Sequence, residues 1–229
     1  MKQVVITGGS NGIGESLVEV FAKHDYKVIS IDITKPLNPL KGVIYEEIDL
    51  RDAESLKKFA KSCPKIHVLI NNAARQYVKP FKDFSDEEIK EMIDVNILGT
   101  MNVTRAFLPN ISEEGLIINV GSVHSHVVRK NKIPYDMSKA ALAMFTKELA
   151  LELEEEKIRT LCVEFGAVET PMNNNFANKE ELKVALEKQV INHLLTSEEC
   201  AQAIFDLSGE SFKYMNGSAV TIDCGRSLK

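Results

Sequence analysis

Tyr135 and Lys139 stand four residues apart, directly after Pro134. Proline is tolerated in the first turn of a helix because its missing N–H would have no partner there, so a helix opening at Pro134 stacks the phenol and the ammonium on one face. A free tyrosine titrates near pH ~10, and a cation a few Å away draws that value down toward the range of a general acid or base. The pair is therefore expected to move protons. A second stretch is suited to phosphate. Thr7-Gly8-Gly9-Ser10-Asn11-Gly12-Ile13-Gly14 lets a diphosphate approach the backbone, while the helix that follows points free N–H groups and a positive dipole end toward it. Asp32 follows eighteen residues beyond Gly14. A carboxylate there accepts hydrogen bonds from the adenosine ribose and repels a 2′-phosphate, by roughly 4 kcal/mol at about 4 Å and an effective dielectric near ~20. Ile33 and Thr34 supply no cation to offset it, so NAD(H) is expected over NADP(H).

These residues need a scaffold, and the apolar pattern supplies one. Short β-branched runs are expected as strands at Val4 to Ile6, Val28 to Ile31, Val43 to Ile48, Val68 to Ile70, Leu116 to Ile118, Thr160 to Val163 and Ala219 to Ile222. Between them, helical spacing covers Ile13 to Phe21, Asp52 to Ser62, a long helix capped by Ser85 and running toward Leu108, the Tyr135 helix, Glu180 to His193, and Glu198 to Leu207. Strands alternating with helices indicate an α/β fold with a parallel sheet covered on both faces. Ligands on such sheets bind at the carboxyl ends of the strands, where the residues named above fall.

At 229 residues with 44% hydrophobic content, the chain suits one domain. The net charge of −5 and interspersed signs argue against a nucleic-acid or polybasic membrane surface, and the run around Glu152 and Glu154 to Glu156 reads as a solvated helix end. Cys63, Cys162, Cys200 and Cys224 are widely spaced and announce neither zinc nor an oxidising compartment. His124 and His126 lack carboxylate or cysteine partners at ligand spacing, so no metal is expected. Without a membrane-length apolar run or a leader pattern, a cytoplasmic protein is expected. No repeat of solenoid length and no low-complexity segment is present.

With the Thr7 to Gly14 turn, Asn71-Asn72-Ala73-Ala74, Asn96, Gly121-Ser122 and Tyr135-x-x-x-Lys139 in order, the chain resembles the short-chain dehydrogenase/reductase family from Lys2 to Gly225. The resemblance implies a single-domain Rossmann-type doubly wound sheet of about seven strands, and an oxidoreductase that interconverts a secondary alcohol and a carbonyl. Tyr135 would be the acid/base and Lys139 would lower its pKa and bind the nicotinamide ribose. Ser122, thirteen residues before Tyr135, would hydrogen-bond the substrate oxygen, and Asn96 would hold a water linking Lys139 to solvent. Cofactor contacts would come from Gly8, Ser10, Asn11, Gly12, Ile13, Gly14 and Asp32, from Asp49 and Leu50 at adenine, from Asn72, Ala73 and Ala74, and from Val168 and Thr170 at the carboxamide. A homodimer or homotetramer is also implied, packed through the helices near Ser85 to Leu108 and Pro134 to Glu154.

Three positions depart from the family pattern: Phe165-Gly166 stands for Pro-Gly, Ala74 for Gly, and Asp223-Cys224-Gly225 for Asp-Gly-Gly. The substrate would meet the segment after Ser122, the turn with Arg75, Gln76 and Tyr77, and a lid over about 171–195 that includes Asn173 to Phe176. Arg75 or Arg129 there could recognise an acidic substrate. Two alternatives stay open at this point: an NADPH-dependent carbonyl reductase, and a non-catalytic NAD(H)-binding regulatory or scaffold protein.

Overall fold

The apolar runs alternate which way they face, and that alternation builds two cores. The computed structural model describes residues 1–170, 172, 186–187 and 189–229. Seven strands form one parallel sheet: β1 (Gln3–Thr7), β2 (Lys27–Asp32), β3 (Ile44–Glu47), β4 (Ile66–Asn71), β5 (Ile111–Ser122), β6 (Arg159–Phe165) and β7 (Ser218–Ile222). Their order is β3-β2-β1-β4-β5-β6-β7, so the chain reverses its direction of travel between β1 and β4. This is a single-domain, doubly wound α/β fold, and its switch point is where such sheets bind ligands.

Along the central strands successive side chains leave opposite faces. Val4, Ile6, Val68, Ile70, Leu116 and Ile118 enter one core with Leu17 and Phe21 of α1 (Gly12–Lys23) and Ile204 of α6 (Ser197–Leu207). Val5, Leu69 and Ile117 enter the other, against Leu56 of α2 (Ala53–Ser62) and Val103 and Phe107 of α4 (Thr100–Phe107). Each such side chain stabilises the fold by about 1.5–3 kcal/mol through its burial.

Two expected elements come out differently. Ser85 does cap a helix, with a reciprocal Ser85–Glu88 box, but that helix is α3 (Asp86–Ile93). It then widens into a π-helical segment, Asp94–Gly99, before tightening again as α4. The expected helix of Glu180 to His193 and the Asn173 to Phe176 stretch lie largely outside the described residues. Leu186 and Glu187 are helical, whereas 189–194 are not. β5 is far longer than Leu116 to Ile118, and its distal end reaches Ser122.

A buried polar chain ties the sheet to the helices near the site. Asn71 Nδ2 donates to Thr104 Oγ1 at 3.0 Å and to Asn119 Oδ1 at 2.9 Å. Asn119 Nδ2 donates to Thr146 Oγ1 at 2.9 Å, and that hydroxyl donates to Leu142 O at 2.9 Å. Thr146 belongs to α5 (Ile133–Glu152), and both Asn119 and Thr146 are fully buried. Thr146→Val keeps the shape but strands the Asn119 amide, so it should lower stability by about 1–3 kcal/mol. A lower urea midpoint at unchanged slope is the expected reading, and an unchanged midpoint would remove this chain of bonds from the account of stability.

Candidate active site

A cleft of about 450 Å³ opens at the carboxyl ends of the strands, running from the first glycine turn to Tyr135. The turn is sterically set. Gly8 has φ of +68°, and a Cβ there would meet Ala73 Cα at 2.8 Å, while a Cβ on Gly14 would fall 1.8 Å from Gly8 O. A side chain at Gly14 would push α1 away from the turn after β1, and one at Gly8 would displace the segment after β4. Asn11 caps α1 without a side-chain hydrogen bond, so the first N–H groups of the helix are left for a ligand, and Asn11, Gly12 and Ile13 line the cleft. A diphosphate fits that arrangement of uncapped donors and absent Cβ atoms.

Several expected contact residues turn out to hold the cleft rather than to line it. Gly14 packs beneath the turn, and Ser10 faces the second strand: its N–H donates to Asp32 Oδ2 at 3.0 Å and its hydroxyl to Thr34 O at 2.5 Å. Asn72 lines the cleft, yet its amide donates to Thr7 O and Gly8 O at 3.1 Å each, and Thr7 Oγ1 accepts from the backbone of Asn72 and Ala73. Asp32 Oδ1 accepts from Ile33 N at 2.7 Å, leaving the carboxylate fixed at the cleft edge. Asp49 is already gripped by Arg51, whose Nη2 lies 2.5 Å from Oδ2; that fork holds the Asp49 carboxyl below its usual range. Arg51 also lines the cleft, a cation near Asp32 that the local sequence around Asp32 does not disclose.

At the other end, β5 delivers Ser122 and α5 delivers Tyr135 and Lys139 on its buried face. Pro134 is the second residue of α5, which starts at Ile133. Ser122 and Tyr135 line the same stretch of the cleft, and the serine hydroxyl is near enough to favour the ionised phenol. Lys139 Nζ donates to Val120 O at 2.7 Å and stands 5.7 Å from the centre of the Tyr135 ring. The expectation that Lys139 lowers the tyrosine pKa is corrected here. Burial pushes the Tyr135 phenol up to about 12, the nearby Ser122 hydroxyl opposes that less strongly, and the cost of an isolated buried charge also brings Lys139 down to about 8. Spacing places the two groups together; desolvation decides their protonation, and the phenol form of Tyr135 is favoured.

Asn96 sits inside the π-helical segment, buried and away from the cleft lining. Its Oδ1 accepts from Arg75 N at 2.7 Å, and its Nδ2 donates to Arg75 O at 2.9 Å and Ser138 Oγ at 3.0 Å. Ser138 in turn donates to Tyr135 O at 2.7 Å. The asparagine side chain thus fastens the segment after β4 to the Tyr135 helix.

The departures from the family pattern also resolve physically. After β6, Gly166 N donates to Ile222 O at 3.1 Å, Val168 pairs with Leu195, and Glu169 N donates to Leu195 O at 2.8 Å, so backbone bonds hold the turn that lacks proline. Ala73, Ala74, Leu50, Val168 and Thr170 line the cleft as expected. Cys224 keeps the left-handed backbone of the glycine it replaces, with φ of +54°, and its carbonyl accepts from Val190 and Ile191. Burial raises its thiol, which makes it a poor nucleophile. His126 and Ser125 face the buried Glu164, while His124 Nδ1 lies 3.1 Å from Val127 O; among the described residues no three His, Cys, Asp or Glu side chains gather as a metal site. Among the cleft residues that the sequence reading did not single out are three cations: Arg51; Lys132, one turn before Tyr135; and Arg226, brought in by β7. Lys132 carried a signal in its spacing; Arg226 carried none without the fold.

No helix among the described residues is long and apolar enough to cross a membrane. The family model described as short chain dehydrogenase matches residues 2–181. Dehydrogenase/reductase SDR family member 6 of Aquarana catesbeiana is 30% identical, over 99% of this chain and 98% of that one. A short chain dehydrogenase family protein from Francisella tularensis superposes with a TM-score of 0.93 at 25% identity, each chain fully covered. The 3-ketoacyl-(acyl-carrier-protein) reductase from Brucella melitensis, solved with NADH, does so with a TM-score of 0.89 at 25% identity, over 99% of this chain and 98% of that one. The chain therefore belongs to the short chain dehydrogenase family of oxidoreductases.

Proposed function

We propose that the protein is an NAD(H)-dependent oxidoreductase interconverting a secondary alcohol and a carbonyl. The observation that carries this reading is the cleft that brings Ser122, Tyr135 and Lys139 together at one end and the uncapped start of α1 at the other. A bound nicotinamide would supply the hydride acceptor or donor, and Tyr135 would take the hydroxyl proton as phenolate in oxidation or give it as phenol in reduction. For reduction, a neutral phenol is the form needed to protonate the nascent alkoxide, and Ser122, in the same stretch of the cleft, would donate a second hydrogen bond to that oxygen. Lys139, anchored on Val120 O, brings a positive charge beside that oxygen and a donor toward a ribose. Asn96 acts through position, by locking Ser138 and the Arg75 backbone.

The preference for NAD(H) follows from Asp32 at the ribose end, where Arg51 is neutralised by Asp49 and so offers little to a 2′-phosphate. The NADH in the Brucella reductase supports a nicotinamide cofactor in this fold. A cytoplasmic setting accords with the four unpaired cysteines. A homodimer or homotetramer accords with exposed Ile133, Met137, Met144 and Leu151 on the outer face of α5, beside exposed Met101 on α4.

Tyr135→Phe should reduce turnover by about 10²- to 10⁴-fold while NADH affinity stays within a few-fold. Stopped turnover with retained binding is the expected pair of results, and an active Phe variant would take Tyr135 out of the mechanism. NADH should bind about tenfold or more tightly than NADPH, with Asp32→Ala narrowing the gap; equal affinities in the wild type would refute the selection by Asp32. Sedimentation velocity should give a dimer or tetramer, and a monomer at micromolar concentration would overturn the assembly.

A further inference from the structure

Beyond Tyr135 the cleft is lined by Arg129 and Lys132, from the segment entering α5, and by Arg226, from the turn after β7. Arg226 is buried and the other two are half-buried. Among the described residues no carboxylate lies within 4.0 Å of the charged groups of Arg129 or Lys132. Lys132 Nζ instead donates to the neutral Gln76 Oε1 at 3.0 Å and stands 5.7 Å from the centre of the Tyr135 ring. The carboxylates nearby do not cancel this charge. Asp223 is occupied by Gly225 N at 2.9 Å and Ser227 N at 2.7 Å. Burial raises the Asp136 carboxyl, which weakens it as a counter-ion. Arg75, the other cation expected to meet a substrate, is bound by Glu91 at 3.1 Å.

Partly desolvated cations without paired anions are costly. Burial and the neighbouring Arg129 bring Lys132 down to about 8, and burial with these same cations brings His124 down to about 4. An anion entering the cleft would relieve that repulsion. Its place is set by geometry: Lys132 Nζ stands 5.7 Å from the centre of the Tyr135 ring and the cations line the same cleft as Ser122 and Tyr135, so an anionic group held there belongs to the molecule whose oxygen meets that pair. A guanidinium fork such as that of Arg129 matches the planar, bidentate shape of a carboxylate.

We propose that the substrate is a short hydroxy- or oxo-carboxylate whose carboxylate is held by Arg129 and Lys132, with Arg226 behind them, while its reacting carbon faces Ser122 and Tyr135. The proposal rests on the reading of Ser122 and Tyr135 as the reacting pair, but its test does not require turnover. Straight-chain monocarboxylates of three to six carbons, their amides, and methyl phosphate are titrated against the protein by ligand-observed NMR, with and without NADH. The expected result is binding of at least one carboxylate, at least tenfold weaker binding of its amide, and an equal loss of carboxylate affinity in Arg129→Gln and in Lys132→Gln, both checked for native circular dichroism. Acid and amide binding alike, no binding of any acid, or unchanged acid affinity in both variants would overturn the proposal. Tighter binding of methyl phosphate than of every carboxylate would overturn it too. Failure of NADH to bind would count against the nicotinamide reading alone, because the acid and amide comparison without NADH still decides this one.

Discussion

A buried ammonium organises the site. Lys139 has little access to water, and the bond from its Nζ to Val120 O at 2.7 Å is what makes its burial tolerable. That carbonyl lies near the carboxyl end of β5, two residues before Ser122, and Lys139 lies one helical turn after Tyr135. One bond therefore fixes the helix carrying the phenol against the strand carrying the hydroxyl. Were it lost, α5 could slide or turn relative to β5, and the Ser122–Tyr135 contact would go with it. The burial that makes Lys139 an anchor also holds Tyr135 as a neutral phenol, so position and protonation share a single cause.

The π-helical segment is the second fixed point, and it works on the opposite side of α5. Regular α-helical winding from Asp86 to Phe107 would turn position 96 in a different direction relative to the flanking helices. In the wider turn Asn96 faces both the Arg75 backbone, where the chain leaves β4, and Ser138 on α5. Thr100 Oγ1 donates to Asn96 O at 3.0 Å, capturing a carbonyl within the irregular turn. The cleft floor is thus pinned from two directions, by a charge on β5 and by an amide in the interrupted helix.

Much of this was legible from residue types. The strands announced themselves because β-branched runs bounded by polar segments fit few other structures, and the glycine turn did so because its Cβ-free positions are required by contacts as close as 1.8 Å. Spacing along one helix placed Tyr135 beside Lys139. What spacing does not encode is solvation, so the direction of the tyrosine shift was misread until the burial of α5 was known. Nor does it encode a change of helical winding: the apolar positions continue on both sides of Asn96, and the π turn alters the facing of residues without altering their type. Arg226 joins Arg129 and Lys132 through the pairing of β7 with β6, an association between distant segments that the local pattern around Arg226 does not carry.

The charges along the cleft follow an order that constrains what can lie in it. Asp32 and Asp49 occupy the end beside β2 and β3, with Asp49 already satisfied by Arg51, so the free acceptor capacity there suits hydroxyl donors better than phosphate. Next comes the start of α1, where oriented N–H groups favour phosphate oxygens. Then come the neutral hydroxyls of Ser122 and Tyr135, and last the cationic wall. A molecule bearing hydroxyls, then a diphosphate, then an uncharged reacting carbon suits the first three zones, and a nucleotide lying this way would leave the fourth unmatched. An ammonium at the reacting end would add repulsion to a region that already depresses Lys132 and His124, and a neutral alcohol would leave that repulsion unrelieved. The two regions that favour negative charge are thus separated along the cleft by the neutral hydroxyls of Ser122 and Tyr135, which favours one direction of docking for each bound molecule.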